Sequence, residues 1–220
     1  MKYPVSFELE FRRHSYPGKL IAIEGIDGSG KTTQSHELVR KLNEKGQKAI
    51  YTKEPTDHET GKLIRKVLSR EVAMSPISLQ YLFSADRGIH EIEIEKLLRE
   101  GNIIVTDRYF WSSVAYGTAD LGGEMDFYLT AFSILSSYHR FIIPDVTFFL
   151  DIPADTAYER IKESHDHKEI YDDRGKLVKI KDSYDKLIAK FRNEFTIINA
   201  NKPIDKVSEE LLARVSVLLK

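Results

Sequence analysis

The sequence contains no cysteine, so disulfide bonds, thiolate metal sites and cysteine nucleophiles are excluded. This absence is also typical of proteins in a reducing compartment. The sequence also has no large excess of either charge, because it contains 33 Lys and Arg residues and 34 Asp and Glu residues, and its formal net charge is -1. No overall basic field therefore attracts nucleic acid or an anionic membrane, and any phosphate site has to be local.

Long apolar runs are also absent. Residues 1–18 have no apolar core of the kind found in signal peptides, and no run approaches the length that spans a bilayer. We therefore expect a cytoplasmic protein without contacts to membranes. Its 220 residues suffice for one α/β domain with a sizeable core, and no linker-like stretch divides them.

Short apolar runs alternate with helical patterns along the chain. The first run, Leu20 to Glu24, leads through a glycine-rich turn into a helix in which Leu38, Val39 and Leu42 recur at helical spacing. Strands that are separated by helices in this way are usually parallel. The sequence predicts a three-layer α/β sandwich with about five parallel strands, near residues 20–24, 49–51, 103–106, 146–150 and 195–198.

A long helix is predicted between the second and third strands. Leu82, Ala85, Ile89 and Ile92 recur at helical spacing, and we expect them to form its buried stripe. Gly101 should end this helix. A last helix carries Val207, Leu211, Val215 and Leu218 on one face.

Two segments lie outside this regular pattern. Residues 1–18 form an N-terminal extension in which Val5, Phe7, Leu9 and Phe11 alternate with polar residues, so they predict an extra edge strand before a single domain at residues 19–220. Residues 163–181 are densely charged and show little apolar periodicity before Leu187. We expect this second segment to be a mobile lid.

Residues 25–32 match the phosphate-binding pattern G-x-x-x-x-G-K-[ST], between a buried strand and a helix. Its glycines let backbone N–H groups converge on phosphate oxygens, and the helix N-terminus adds partial positive charge. Lys31 should reach the terminal phosphates and Thr32 should offer its hydroxyl to Mg²⁺. The motif therefore predicts a P-loop NTPase-type fold that binds ATP with Mg²⁺.

Asp107 ends the third strand, at the sheet edge where ligands of open α/β sheets collect. A carboxylate beside a P-loop favours a role in holding Mg²⁺ through a water molecule. An ordinary polar strand end is the alternative interpretation of this residue.

Four segments resemble the thymidylate kinase family, from about Leu20 to the last helix. Residues 23–34 are similar to its P-loop, Thr52-Lys53-Glu54-Pro55 to its Thr-Arg-Glu-Pro signature, residues 82–87 to its Leu-Phe-x-x-Asp-Arg helix, and Asp107-Arg108-Tyr109 to its Asp-Arg-Tyr element. Lys53 replaces the family's arginine. The resemblance implies phosphorylation of dTMP by ATP, and a homodimer through helices around residues 60–100.

The same resemblance implies an acceptor site. Its residues are Lys53, Glu54, Phe83, Arg87, Arg108, Ser113 and Tyr116. Phe83 would stack on thymine, Arg87 would hold the base or its phosphate, and Tyr116 would pack where a 2'-hydroxyl would sit. Phe83 and Arg87 are four positions apart and share a helix face, although core packing would equally explain Phe83 alone. Gly117 stands where many relatives carry glutamine.

On the donor side, the implied ATP-binding residues are Gly25, Ile26, Asp27, Gly28, Ser29, Gly30, Lys31, Thr32, Thr33 and Arg160. Arg160 would lie near adenine. Lys31, Arg108 and Asp27 are the implied catalytic residues of the core, with Asp27 orienting the acceptor sugar. The P-loop offers no basic residue between its ends, so a lid cation is implied, Arg174 first and Lys168 or Lys176 behind it.

Two other functions compete with this interpretation. A P-loop kinase for another deoxynucleotide or nucleoside would share the fold, since the fold does not choose an acceptor. A guanine-nucleotide switch is suggested by residues 120–123 and by Asn201-Lys202-Pro203-Ile204-Asp205. The first follows a helix instead of a strand and the second is one residue too long, so both match the switch motifs poorly.

Overall fold

The computed structural model describes residues 8, 10–11, 13–121, 127–136, 141–164 and 169–219. Five strands form one parallel sheet in the order β2-β3-β1-β4-β5. Their bounds are β1 Lys19–Glu24, β2 Ala49–Lys53, β3 Ile103–Asp107, β4 Val146–Asp151 and β5 Thr196–Asn199. Within these ranges no helix is both long and apolar enough to cross a membrane, and the cytoplasmic location stays a prediction.

Eight helices flank the described part of the sheet. They are α1 Lys31–Glu44, α2 Glu59–Leu68, α3 Pro76–Arg99, α4 Phe110–Leu121, α5 Phe127–Leu135, α6 Ala154–Ser164, α7 Arg174–Lys190 and α8 Ile204–Leu218. Helix α1 packs against α8, whereas α4 packs against α3, α5 and α7. The predicted three-layer sandwich with five parallel strands is therefore confirmed.

The central strand β1 pairs with β3 on one side and β4 on the other. Helices cover both faces of the sheet, which is why these strands are continuous apolar runs and not alternating ones. In the observed register, Asp107 pairs with Ile23 on one side and with Lys53 on the other. The ends of β1, β2 and β3 therefore meet at one edge of the sheet, where the P-loop begins.

The predicted buried stripe of α3 is wrong at three of its four positions, since only Leu82 packs against the core, where it is half-buried. Ile89 and Ile92 are 39 % and 71 % exposed, and Ala85 is exposed as well. The buried face instead carries Leu79, Gln80, Asp86, Arg87, His90, Ile94 and Leu98. Apolar spacing indicated the wrong side because the inner face of α3 is largely polar: Arg87 lines the cavity, and Gln80, Asp86 and His90 hydrogen bond to neighbouring elements. The helix does end before Gly101, which has φ 82°.

The segment predicted as a lid contains more regular structure than expected. Helix α7 begins at Arg174, and its Leu177 and Ile180 are fully buried. The expectation of little apolar periodicity before Leu187 is therefore wrong, because dense surface charge obscured a buried face. Residues 165–168 lie outside the described part of the chain, and the assignment of 163–181 as a lid stays a prediction.

The described residues of the N-terminal extension, 8, 10–11 and 13–18, contact the rest of the domain at several points. Val5, Phe7 and Leu9 of the predicted edge strand lie outside the described residues, and the described part of the extension makes an isolated β-bridge between Arg13 and Ile143. The Phe11 ring lies 5.9 Å from that of Trp111. His14 Nε2 lies 2.9 Å from Asp145 Oδ2, and that oxygen also accepts a hydrogen bond from the Leu20 amide. The extension is thereby tied to the start of β1.

Candidate active site

A cavity of about 940 Å³ opens at the edge of the sheet where β1, β2 and β3 end. Fifteen of the predicted site residues line it: Asp27, Gly28, Gly30, Lys31, Thr32, Thr33, Lys53, Glu54, Phe83, Arg87, Asp107, Arg108, Ser113, Tyr116 and Arg160. Gly25, Ile26 and Ser29 lie buried within the P-loop. Arg174 is not among the lining residues.

The P-loop backbone requires glycine at specific positions. Gly28 and Gly30 have φ of 78° and 91°, in the left-handed region that glycine occupies without strain. Gly28 also lies against α6, so that a Cβ there would come within 2.4 Å of the Ala157 carbonyl oxygen. This position therefore needs glycine both for its backbone angle and for close packing.

Lys31 lies almost fully buried beneath the P-loop. Its side chain is 6 % exposed, and its Nζ donates to the Ile26 carbonyl at 2.8 Å and lies 4.0 Å from Asp27 Oδ1. Burial, together with repulsion from Arg108, lowers the pKa of Lys31 to about 8. A buried ammonium at a helix N-terminus is poorly compensated, and a phosphate oxygen would stabilise its charged form.

Thr32 and Asp107 form the candidate metal site. Thr32 Oγ1 donates to Asp107 Oδ2. Asp107 Oδ1 is buried without a hydrogen-bond partner among the described residues. Mg²⁺ takes oxygen ligands and keeps several waters, so an orphaned carboxylate oxygen beside a hydroxyl is a donor set that fits this ion.

Arg108 joins the P-loop to α4. It has φ 72°, and its Nη2 donates to Asp27 Oδ1 and, at 3.0 Å, to the Tyr116 hydroxyl. That hydroxyl in turn donates to Asp27 Oδ2 at 2.8 Å. Burial alone would raise the pKa of Asp27, but Arg108 and Lys31 hold it below its usual value. Asp27 therefore stays ionised at the centre of the cavity.

Arg87 lies on the opposite wall, on α3, and its side chain is only 1 % exposed. Its Nε donates to Glu54 Oε2 at 2.8 Å, while its Nη1 donates to Ser113 Oγ at 2.9 Å. Phe83, four positions earlier, is half-buried and lines the same cavity. The four predicted residues Glu54, Phe83, Arg87 and Ser113 are thus brought together, with Glu54 placed behind the guanidinium as its partner.

The family model of thymidylate kinase matches residues 23–211 of this chain. A protein of Methanococcus aeolicus described as "Probable thymidylate kinase" is 38% identical, over 90% of this chain and 95% of its own. One of Pyrococcus horikoshii with the same description is 36% identical, over 90% and 96%. The solved structure of thymidylate kinase from Candida albicans superposes with a TM-score of 0.79 at 28% identity, covering 93% of each chain.

The chain belongs to the thymidylate kinase family.

Gly117, where the resemblance implied a glutamine in many relatives, lies close to side chains of neighbouring helices. A Cβ at Gly117 would lie 2.8 Å from the side-chain amide of Gln80. With that amide oriented to satisfy its neighbours, Gln80 donates to the Ser113 carbonyl and accepts from the Gly117 amide, both at 3.2 Å. Side chains from α3 and α5 therefore lie beside Gly117, and the atom nearest to that Cβ would be Ile134 Cδ1 at 2.6 Å.

The described residues after the gap at 165–168 lie along the cavity, which Glu169, Tyr171 and Asp172 line. The Ile170 amide donates to the Leu68 carbonyl of α2 at 3.0 Å. The buried Tyr171 ring meets Tyr116 edge-on at 4.8 Å, and its hydroxyl donates to Asp120 Oδ2. Asp120, the first residue of the sequence that resembled a guanine-nucleotide switch, is therefore occupied in holding this segment.

The cations proposed for the lid lie in different places. Arg174 is 61 % exposed and donates to Asp155 Oδ1 at 2.6 Å. Lys176 Nζ lies 5.2 Å from the centre of the Tyr171 ring, closer to the cavity. Lys168 is outside the described residues.

Arg160, which was expected near adenine, lies beside the P-loop, with Nη1 3.5 Å from the Gly28 carbonyl oxygen.

Sequence reasoning missed several residues that hold the site. Glu24 accepts from the amides of Tyr109 and Ser112 at 3.0 and 3.2 Å, and burial raises its pKa. Asp86 is 1 % exposed and accepts from the amide and hydroxyl of Thr56, which fixes the loop after β2. A charged residue that is buried at the end of an apolar strand was the available signal for Glu24. The partner of Asp86 is 30 positions away, and no local pattern indicates it.

We predict that nucleotide binding takes up a proton through Lys31. In the nucleotide-free protein, Lys31 has a pKa of about 8 and is therefore partly neutral at pH 8. A bound phosphate favours the charged form of Lys31 and so raises its pKa. We expect uptake of about half a proton per ATP at pH 8 and about a tenth at pH 7. Calorimetric titration with ATP and Mg²⁺, in two buffers of different ionisation enthalpy, measures this uptake.

The variant Lys31→Met is the control for that titration, since it removes the titrating group and the uptake should disappear. A binding enthalpy at pH 8 that is independent of the buffer would contradict the prediction.

Proposed function

We propose that this protein transfers the γ-phosphoryl group of ATP to dTMP, giving ADP and dTDP. The observation that supports this most directly is that a single cavity carries a P-loop on one wall and the group formed by Phe83, Arg87 and Ser113 on the other. Its volume of about 940 Å³ allows for two nucleotides. Asp27 and Arg108 lie between the two walls.

The donor binds along the P-loop. Backbone N–H groups of residues 25–33 surround its phosphates, Lys31 contacts the terminal ones and Arg160 lies near adenine. The acceptor lies against α3 and α4. Phe83 stacks on thymine, Ser113 hydrogen bonds the base, and Arg87 holds the base or its phosphate. Tyr116 packs against the sugar that Asp27 orients.

The chemistry consists mainly of alignment and charge neutralisation. A phosphate monoester has a second pKa near 6, so the acceptor is largely dianionic at neutral pH and needs no side-chain general base. Lys31 and Arg108 face the oxygens on which charge develops. Closure of the lid excludes water that would otherwise hydrolyse ATP.

Thr32 and Asp107 would hold Mg²⁺, Thr32 directly and Asp107 through water. Bound there with ATP, the ion would neutralise phosphate charge. Arg174 is the proposed lid cation, with Lys176 behind it. Because Arg174 is paired with Asp155 and does not line the cavity, its approach to the phosphates requires that this ion pair opens.

An acceptor panel tests the function. Wild-type protein is given ATP, Mg²⁺ and, in turn, each nucleoside monophosphate and thymidine, and ADP formation is followed. We expect the highest kcat/KM for dTMP. A tenfold or larger preference for another acceptor would reassign the substrate. Tight GTP binding without acceptor-dependent turnover would favour the alternative function, a guanine-nucleotide switch.

We predict that Lys53→Ala weakens the acceptor site selectively. Lys53 lines the cavity at the end of β2, and its Nζ lies 3.4 Å from Asp57 Oδ1. Loss of a charge-assisted hydrogen bond to the dTMP phosphate, worth roughly 1.5–3 kcal/mol, lowers kcat/KM for dTMP about ten- to a hundredfold. The KM for ATP should barely change.

The matched control is Lys48→Ala, an exposed lysine just before the opposite end of the same strand. It should leave both KM values unaltered. Equal kinetics for the two variants would mean that Lys53 is not a phosphate ligand, and that Arg87 and Arg108 hold the acceptor without it.

We expect a homodimer through the outer face of α2 and α3. Leu63, Ile77, Tyr81, Ile89 and Ile92 are all more than a third exposed there, and apolar side chains grouped on one surface are typical of an interface. The variant Ile92→Glu should shift the mass measured by light scattering from dimer towards monomer. Val217→Glu, at a similarly exposed position on α8, should not. A monomeric wild type would contradict the proposal.

A further inference from the structure

His90 lies behind the acceptor wall of the cavity without lining it. It is on the inner face of α3, only 2 % exposed, three positions after Arg87. Its Nδ1 lies 3.0 Å from Glu54 Oε1 and its Nε2 lies 2.7 Å from Thr52 Oγ1. Both contacts are buried, so each polar atom depends on its partner.

These contacts determine the tautomer of a neutral His90. Glu54 accepts two hydrogen bonds from Arg87 and is an ionised partner, so Nδ1 has to carry the proton that it donates to Oε1. Nε2 is then an acceptor for the Thr52 hydroxyl. The imidazole therefore joins the end of β2 to the carboxylate that holds Arg87.

The two oxygens of Glu54 have separate tasks. Oε2 accepts from Nε and Nη2 of Arg87, whereas Oε1 accepts from His90 alone among the described residues. Arg87 Nη1 is left to reach Ser113 in the cavity. If Oε1 lost its donor, the carboxylate would be free to rotate and engage the guanidinium with both oxygens, a geometry that arginine and carboxylate favour. The cavity end of Arg87 would then shift.

We infer that His90 is a positioning residue for acceptor recognition, acting on Arg87 through Glu54. The inference rests on the proposed function, in which Arg87 contacts the acceptor. It assigns the effect to the Nδ1 proton of His90, and the contact with Thr52 serves only to hold the ring.

Two amide variants test the roles of the two ring nitrogens of His90 separately. In His90→Asn, the amide NH₂ lies close to the place of Nδ1 and can still donate to Glu54; in His90→Gln, the longer side chain places it near Nε2 instead. We expect His90→Gln and His90→Leu to raise the KM for dTMP about tenfold, and His90→Asn to stay within about threefold of wild type. The KM for ATP should be unchanged in all three. Thr52→Val, which replaces the hydroxyl with a methyl group and leaves the Nδ1 contact with Glu54 in place, should raise the KM for dTMP less than His90→Gln does.

A double-mutant cycle tests whether His90 acts through Arg87. In an Arg87→Lys background, the guanidinium that Glu54 orients is gone, so His90→Gln should cost much less in kcat/KM for dTMP than it does in wild type. If His90→Gln lowers kcat/KM for dTMP by the same factor in the Arg87→Lys background as in wild type, the inference is overturned. Equal KM values for His90→Asn and His90→Gln would overturn it as well, as would a parallel rise in both KM values.

Thermal unfolding of each variant separates kinetic effects from loss of fold. If His90→Leu does not fold, the comparison of the two amide variants decides alone. Turnover of dTMP by the wild type tests the proposed function separately. Should the wild type use another monophosphate, the same variants are measured with that acceptor, so that failure of one proposal is distinguished from failure of the other.

Discussion

Buried positive charge is the constraint on which this site depends. Lys31, Arg87 and Arg108 are held in a cavity before any phosphate arrives, and a buried cation without a partner is costly. Two carboxylates compensate them: Asp27 faces Arg108 and Lys31, and Glu54 faces Arg87. The lowered pKa of Lys31 shows that its compensation is incomplete. A polyanion entering the cavity therefore completes an electrostatic arrangement that folding leaves unfinished.

Each of these carboxylates is itself fixed by a second layer of contacts, mostly from distant parts of the chain. Tyr116 donates to Asp27, and His90 faces Glu54. Glu24 holds the hydroxyl of Ser112, which accepts from Arg108 at 3.1 Å. Side chains bound on two sides lose little freedom when a ligand arrives, so the entropy of ordering them is spent during folding. The positions of the cations are thus a property of the sheet and of the helices that meet at its edge.

The sequence predicts those parts of this arrangement that depend on short patterns of neighbouring residues, and it does not predict contacts between residues far apart in the chain. The five strands and residues 25–32 follow from short patterns, and the structure confirms the strands. The buried face of α3 was predicted wrongly, because apolar spacing identifies a core only where the inner face is apolar, and Asp86, Arg87 and His90 occupy that face. The Glu54 contacts link residues more than 30 positions apart, and the family resemblance indicated Glu54 and Arg87 without indicating that they pair or that His90 contacts Glu54.

Helix α3 lies between the cavity and the exposed apolar surface on the outside of the domain. Many of its inward-facing side chains are polar and several of its outward-facing ones are apolar. Its inner face places Arg87 in the cavity wall with His90 behind it, and its outer face exposes Tyr81 and Ile92 at 69 % and 71 %. A helix packed on one side is restrained only by that side, and here many of the inner contacts are hydrogen bonds that need accurate geometry. A second chain packed on the outer face would restrain the same helix from behind. Association would then fix the wall that recognises the acceptor without contributing a residue to the cavity.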